Sequence, residues 1–334
     1  MARVGVIGAG AFGTAMACVV RRSGHDVVIW AREPEVASAI NRDAINPMFL
    51  AGVRLPPGIV ATNDFAVAVA GADFLLLAPP AQRMRSVTTG LRPHLKDGMP
   101  VVTCSKGIER GTCALMSQVI AETMPASRVA VLSGPSFANE ISVGLPAGVT
   151  VACADLVLGE RLARAIGTPL FHTFLTDDVT GAHLGGALKN VFAIAAGVAH
   201  GKKMGNSARS TIVARSLAEM VRLGIAMGAR LETFIGLSGV GDLNLCCNST
   251  NSRNMSLGIA LGEGRKLSEI LAERVTVSEG VHSTESVAAL ARRFGVEMPI
   301  ALALDRVLNH GADVDATIAA LLSHPSGFER VTTA

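Results

Sequence analysis

A chain of 334 residues, 49% hydrophobic and only 17% charged, is long enough for two domains with separate cores. A formal charge of +3, with lysines and arginines scattered and aromatics at 4%, excludes a nucleic-acid surface built from basic runs and stacking rings. The six cysteines (Cys18, Cys104, Cys113, Cys153, Cys246 and Cys247) form no C-x-x-C pair, which argues against a zinc site or a disulfide framework, so no metal is expected. The first strand begins almost at once, leaving no room for a signal peptide, and the most apolar window, residues 187–199, is too short to span a bilayer. A cytoplasmic protein without membrane insertion is the expectation.

Residues 3–7 are a short branched apolar strand, followed by Gly8-Ala9-Gly10-Ala11-Phe12-Gly13, a helix over 14–22 and a second strand over 26–30. The spacing is that of a dinucleotide-binding βαβ unit: Gly8 permits the tight turn, Gly10 lets a pyrophosphate approach the backbone, and Gly13 lets helix and sheet pack closely. The helix start adds backbone N–H groups and a positive dipole end. Past the second strand, where an acid would accept the ribose hydroxyl of NAD, stands Ala31-Arg32. Arginine suits a 2′-phosphate, which points to NADP as the preferred cofactor, while Glu33 keeps NAD in play.

The alternation continues: a helix over 34–43, a proline-bearing loop over 46–58, a strand over 59–62, and a helix capped by Asn63 or Asp64 and running to 70. Strands follow at 74–78, 101–104, 129–132, 147–152 and 171–174, with helices reaching 95 and spanning 113–124 and 156–166. This predicts an α/β Rossmann-type domain with a mainly parallel sheet covered on both faces. After Asp178 the strands stop. Helices are predicted over 181–200, 208–227, 252–261, 267–273, 284–294, 301–309 and 315–322, an all-α domain. The expected division is a dinucleotide-binding domain at 1–180, a helical substrate and catalytic domain at 181–325, and a tail at 326–334.

Ligands of open α/β sheets bind beyond the carboxyl ends of the strands, so the residues there carry the chemistry. Lys106, between Ser105 and Gly107, is poorly explained by packing. Gly134 and Ser136 precede a helix, where N–H groups face an anion, although Ser136 equally suits an N-cap. Lys189 interrupts an Ala/Gly-rich apolar helix and needs a partner or a cavity; desolvation would lower its pKa and make it a general base. Gly239-Val240-Gly241-Asp242 reads as a turn that presents one carboxylate to hold a lysine. Ser252-Arg253-Asn254, at a helix start, suits a phosphate or a diol.

These motifs in this order resemble the bacterial NAD(P)-dependent sn-glycerol-3-phosphate dehydrogenase family. They include Gly8-Ala9-Gly10-Ala11-Phe12-Gly13-Thr14-Ala15, Ser105-Lys106-Gly107, Gly134-Pro135-Ser136-Phe137-Ala138, Gly186-Ala187-Leu188-Lys189-Asn190, Gly241-Asp242-Leu243, Ser252-Arg253-Asn254, Val277-Ser278-Glu279-Gly280 and residues 293–299. The resemblance implies that Lys189 is the proton acceptor, with Lys106 and Asp242 beside it in the catalytic group. It implies substrate contacts from Lys106, Gly134, Ser136, Lys189, Asp242, Ser252, Arg253 and Asn254. It places the dinucleotide against Gly8, Gly10, Ala11, Phe12, Gly13, Arg32, Lys106, Ala138, Arg253, Val277 and Glu279. It further implies NADP or NAD as cofactor, glycerol 3-phosphate and dihydroxyacetone phosphate as substrates, reduction feeding phospholipid synthesis, and a homodimer. His183 departs from the family's glutamine and Cys246 from its threonine, which touches local packing more than activity. The rival readings are another two-domain dehydrogenase, for a hydroxyacid or sugar acid, and a catalytically silent dinucleotide sensor.

Overall fold

The computed structural model describes residues 1–274 and 278–323. The chain divides into two compact units, residues 1–105 with 116–179, and residues 106–115 with the chain from Thr180 onward. In the first unit, β1 (Arg3–Ile7), α1 (Ala11–Arg22) and β2 (Asp26–Trp30) form the βαβ unit. They are followed by α2 (Pro34–Asp43), β3 (Ile45–Asn46), β4 (Leu50–Arg54), β5 (Ile59–Thr62), α3 (Phe65–Val69), β6 (Phe74–Leu77) and α4 (Met84–Leu91). Then come β7 (Pro100–Thr103), α5 (Met116–Thr123), β8 (Arg128–Ser133), α6 (Ala138–Val143), β9 (Ala147–Ala152), α7 (Leu156–Ile166) and β10 (Phe171–Thr176).

Eight strands form one sheet in the order β10-β9-β8-β7-β6-β1-β2-β5, parallel throughout except for the antiparallel β8–β9 pair. The inner strands are fully buried, Val4, Val6, Leu75, Leu76, Val101 and Val102 having no exposure, as a sheet covered on both faces requires. From β1 the chain winds outward to β2 and β5, then returns past β1 to β6 and continues the other way. The strand order therefore reverses between β1 and β6, and the glycine loop after β1 opens at that switch point.

The second unit holds α8 (Val179–Gly201), α9 (Gly205–Ala226), α10 (Leu231–Ile235), α11 (Asp242–Asn248), α12 (Arg253–Gly262), α13 (Leu267–Ala272), α14 (Glu279–Phe294), α15 (Pro299–His310) and α16 (Val314–Leu322). Helix α8 is apolar around its whole circumference and buried from Gly181 to Ala199, the pattern of a core helix. Burying each of Leu184, Leu188, Val191, Phe192 and Ile194 contributes about 1.5–3 kcal/mol. Glycines bring α12 against it backbone to backbone. A Cβ on Gly197 would lie 2.2 Å from the Met255 carbonyl oxygen, and one on Gly258 2.1 Å from that of Ile194. Gly201 and Gly262 repeat the approach one turn on. Helix α12 is thereby pinned along the C-terminal part of α8.

The structure corrects several local expectations. The 46–58 loop contains the β3–β4 hairpin. The helix expected over 113–124 starts at Met116, because Cys113 is left-handed at φ 58° and an Ile108–Leu115 bridge closes the preceding loop. The helix expected to reach 95 ends at Leu91, and Pro93 sits in a 3-10 turn. The glycines before Asp242 lie in a π-helical turn, and Asp242 opens α11, where a bare turn was expected. Helix α8, at 23 residues, is long and apolar enough to span a bilayer, contrary to the reading of residues 187–199, yet its apolar window is wholly buried inside the protein. The 326–334 tail lies outside the described residues.

Candidate active site

The predicted site residues fall into two sets, one on each unit. On the first, Gly8 takes φ 112°, and a Cβ there would meet the Ala78 backbone just beyond β6 at 2.9 Å. A Cβ on Gly13 would lie 1.9 Å from the Gly8 carbonyl oxygen, so the turn and α1 are in direct backbone contact. A Cβ on Gly10 would meet nothing within 4 Å. Ala11 and Phe12 open α1, whose N-cap, Gly10, supplies no side-chain cap. Open space over an uncapped twelve-residue helix fits a dinucleotide pyrophosphate. Two buried side chains brace this loop from behind: Asn46 Nδ2 donates to the Ala9 carbonyl and to Thr14 Oγ1, both at 2.8 Å. Asn46 escaped notice in the sequence because it lay in what read as an ordinary loop.

Arg32 lies just past β2 with its side chain 72% exposed; its Nε donates to Glu33 Oε1 at 2.8 Å, and its Nη2 pairs with the same oxygen. The arginine expected to meet a 2′-phosphate therefore has a competing anion next to it. Gly134, at φ 143°, sits against Val149 Cα. Ser136 Oγ donates to the Gly134 carbonyl at 3.1 Å, while the N-cap of α6 is Phe137, so Ser136 does not act as a cap. Ala138 is the half-buried first residue of α6.

On the second unit, one buried carboxylate holds two ammonium groups. Asp242, 1% exposed, accepts from Lys106 Nζ at 2.6 Å through Oδ2 and from Lys189 Nζ at 2.9 Å through Oδ1. Lys189 Nζ also reaches Cys246 Sγ at 2.8 Å, one turn along α11. Burial disfavours the Asp242 carboxylate, but the two lysines outweigh it and its pKa lies below the usual value. For Lys106, burial is the largest effect and lowers the pKa; Asp242 offsets part of this, and the neighbouring Lys189 charge works against it.

Lys189 departs from expectation. Burial pulls its pKa down, but the Asp242 charge and Cys246 together outweigh burial, and the net shift is upward. At rest Lys189 is an ammonium, a proton donor first and an acceptor only after it has given its proton away.

A chain of amides surrounds this cluster. Asn254 Oδ1 accepts from Gly280 N–H at 3.2 Å, Asn254 Nδ2 donates to Asn190 Oδ1 at 2.9 Å, and Asn190 Nδ2 donates to the Lys106 carbonyl at 3.0 Å. Asn254 is thus mainly a brace between α12, α8 and the start of α14. Ser252 caps α12 by accepting from Met255 N–H at 3.3 Å, and Arg253 beside it is exposed. Glu279 is the first residue of α14; Val277 lies outside the described residues. Cys246 and Asn190 belong to the cluster although neither was assigned a role from the sequence. The spacing of Cys246 from Asp242, one helical turn, was the available signal, hidden because residues 242–248 did not read as a helix.

Sequence models of the NAD-dependent glycerol-3-phosphate dehydrogenase family match the chain twice, the N-terminal part over residues 3–158 and the C-terminal part over residues 178–319. The chain belongs to this family. The glycerol-3-phosphate dehydrogenase, NAD(P)+, of Parvibaculum lavamentivorans is 53% identical over 323 residues, 97% of each chain. That of Caulobacter vibrioides is 51% identical over the same length and coverage. The crystal structure of the Coxiella burnetii glycerol-3-phosphate dehydrogenase superposes with a TM-score of 0.92 at 32% identity, covering 97% of this chain and 99% of the other. The family's Rossmann-type sheet and helical C-terminal region are those described above.

Proposed function

We propose that this chain is an NAD(P)-dependent oxidoreductase that interconverts sn-glycerol 3-phosphate and dihydroxyacetone phosphate. Family membership over both halves of the chain supports the activity. The observation that carries the chemistry is the pair of buried lysines on one aspartate. When bound, the nicotinamide cofactor supplies the hydride exchanged with C2 of the substrate; the chain supplies orientation and the proton. Lys189, kept charged by Asp242, donates a proton to the C2 oxygen as the ketone is reduced and recovers it from the hydroxyl in oxidation. Lys106 supplies a second positive charge to the substrate's oxygens, and Asp242 holds both ammonium groups in place.

Ser252, Arg253 and Asn254 take the phosphate end in this reading, with Arg253 the charged and exposed member. Gly134 and Ser136 complete the substrate contacts. The dinucleotide lies along Gly8, Gly10, Ala11, Phe12 and Gly13, with Ala138, Val277 and Glu279 as further contacts. The first unit is the dinucleotide-binding domain and the second the catalytic one. A resting ammonium at Lys189 is the form that begins ketone reduction, the direction that would feed phospholipid synthesis. We place the enzyme in the cytoplasm as a homodimer.

The test is oxidation of NADPH and of NADH, followed at 340 nm with dihydroxyacetone phosphate and with other keto acids, on the wild type and on Arg32→Asp. Dihydroxyacetone phosphate should be the preferred acceptor, and the variant should lose roughly 1–2 kcal/mol of NADPH preference, about ten-fold. Turnover of another keto acid in its place would refute the assignment.

A further inference from the structure

Lys106 begins a ten-residue segment, 106–115, that leaves the first unit after Ser105 and belongs to the second. Its side chain meets Asp242 only if its backbone is held, and one stripe of α8 contributes to that hold. His183 and Asn190 are seven residues apart, two turns of helix, and therefore face the same way. Asn190 Nδ2 donates to the Lys106 carbonyl at 3.0 Å, and His183 Nε2 lies 3.3 Å from the Gly107 carbonyl. A carbonyl only accepts, so His183 carries its proton on Nε2. Burial, only partly offset by that bond, lowers the His183 pKa to about 4, so the ring stays neutral in this tautomer through the working range of an enzyme.

His183 is 2% exposed, on a helix whose other buried residues, Lys189 and Asn190 apart, are apolar. A polar ring there costs stability unless it is hydrogen-bonded, and the Gly107 carbonyl supplies that partner. Elsewhere the segment is tied by Ser286 Oγ to the Glu109 carbonyl at 3.1 Å and by the Arg110–Glu285 ion pair. Neither of these touches the two residues that set the Lys106 side chain.

We propose that His183 is a positioning residue for Lys106, fixing the Gly107 carbonyl so that the ammonium reaches both Asp242 and the substrate. The inference rests on the reading of Lys106 as a substrate-binding and catalytic group. Its test is a double-mutant cycle of His183→Leu with Lys106→Met, read as kcat/KM for dihydroxyacetone phosphate. Cofactor binding is followed separately through the fluorescence of Trp30, the single tryptophan.

His183→Leu should lower kcat/KM roughly ten-fold in the wild type, yet less than about two-fold once Lys106 is gone, and the cofactor titration separates out any share of the loss that falls on NADPH. His183→Gln, whose amide N–H reaches the same carbonyl, should stay within about three-fold of wild type, whereas the shorter His183→Asn should behave like His183→Leu. That polar pair keeps the test decisive if the leucine variant folds poorly. Losses that multiply independently in the two backgrounds, or equal activity of the Gln and Asn variants, would overturn the inference alone. An unimpaired Lys106→Met would overturn the reading of Lys106 and the inference together.

Discussion

Replacing Asp242 with asparagine keeps the side chain's shape and removes the one negative charge between two buried ammonium groups. At separations of 2.6 and 2.9 Å and an effective dielectric of about 20, each pair represents roughly 6 kcal/mol of gross attraction. Most of that offsets the desolvation of three charges, so the net loss of folding stability should be about 3–5 kcal/mol, the usual effect of breaking a buried pair.

Two measurements read the change. Urea unfolding of Asp242→Asn should show the full deficit at pH 7. The gap should close on acidification: the folded-state pKa of Asp242 is depressed, so its contribution is present above the unfolded value near ~3.9 and is lost as pH falls through the folded one. The second measurement is the alkaline limb of kcat for ketone reduction. Asp242 is the main charge holding the Lys189 pKa above its ordinary value against burial, so the limb should move to lower pH in the variant. A stability within about 1 kcal/mol of wild type at pH 7, with an unshifted alkaline limb, would refute the account of the cluster.

Gly197→Ala puts a methyl 2.2 Å from the Met255 carbonyl oxygen, which backbone cannot yield to cheaply. A loss of roughly 1–3 kcal/mol or more by urea denaturation is expected, with reduced activity because α12 carries Arg253. Glu219 is buried and accepts from Ile300 and Ala301 N–H at the start of α15. Burial nevertheless outweighs those bonds and raises its pKa to about 7. A raised carboxyl pKa gives stability that is present below the unfolded value and lost as pH rises through the folded one. Relative to Glu219→Gln, the wild type should therefore lose up to about 3 kcal/mol between pH 5 and 8. Parallel pH profiles of the two urea midpoints would show that the carboxyl does not titrate there.

Local patterns in the sequence determined much of this protein. The run of buried branched residues in β1 and β6, the three glycines around the start of α1, and the loss of strand-like segments after Asp178 each follow from neighbours a few positions apart, where period and backbone sterics act. Lys106, Lys189 and Asp242 stood out singly, since each is a charge or a glycine-flanked turn in a setting that packing alone does not explain. Only the tertiary structure decided what they do to one another. A lysine's pKa depends on whether a carboxylate lies within about 3 Å, and Asp242 is 53 residues from Lys189 along the chain. Without that contact, burial alone pointed downward; with it, the shift is upward. Cys246, Asn46 and His183 were obscure for the same reason: a thiol, an amide or an imidazole acquires a role only from the atom that long-range folding brings against it.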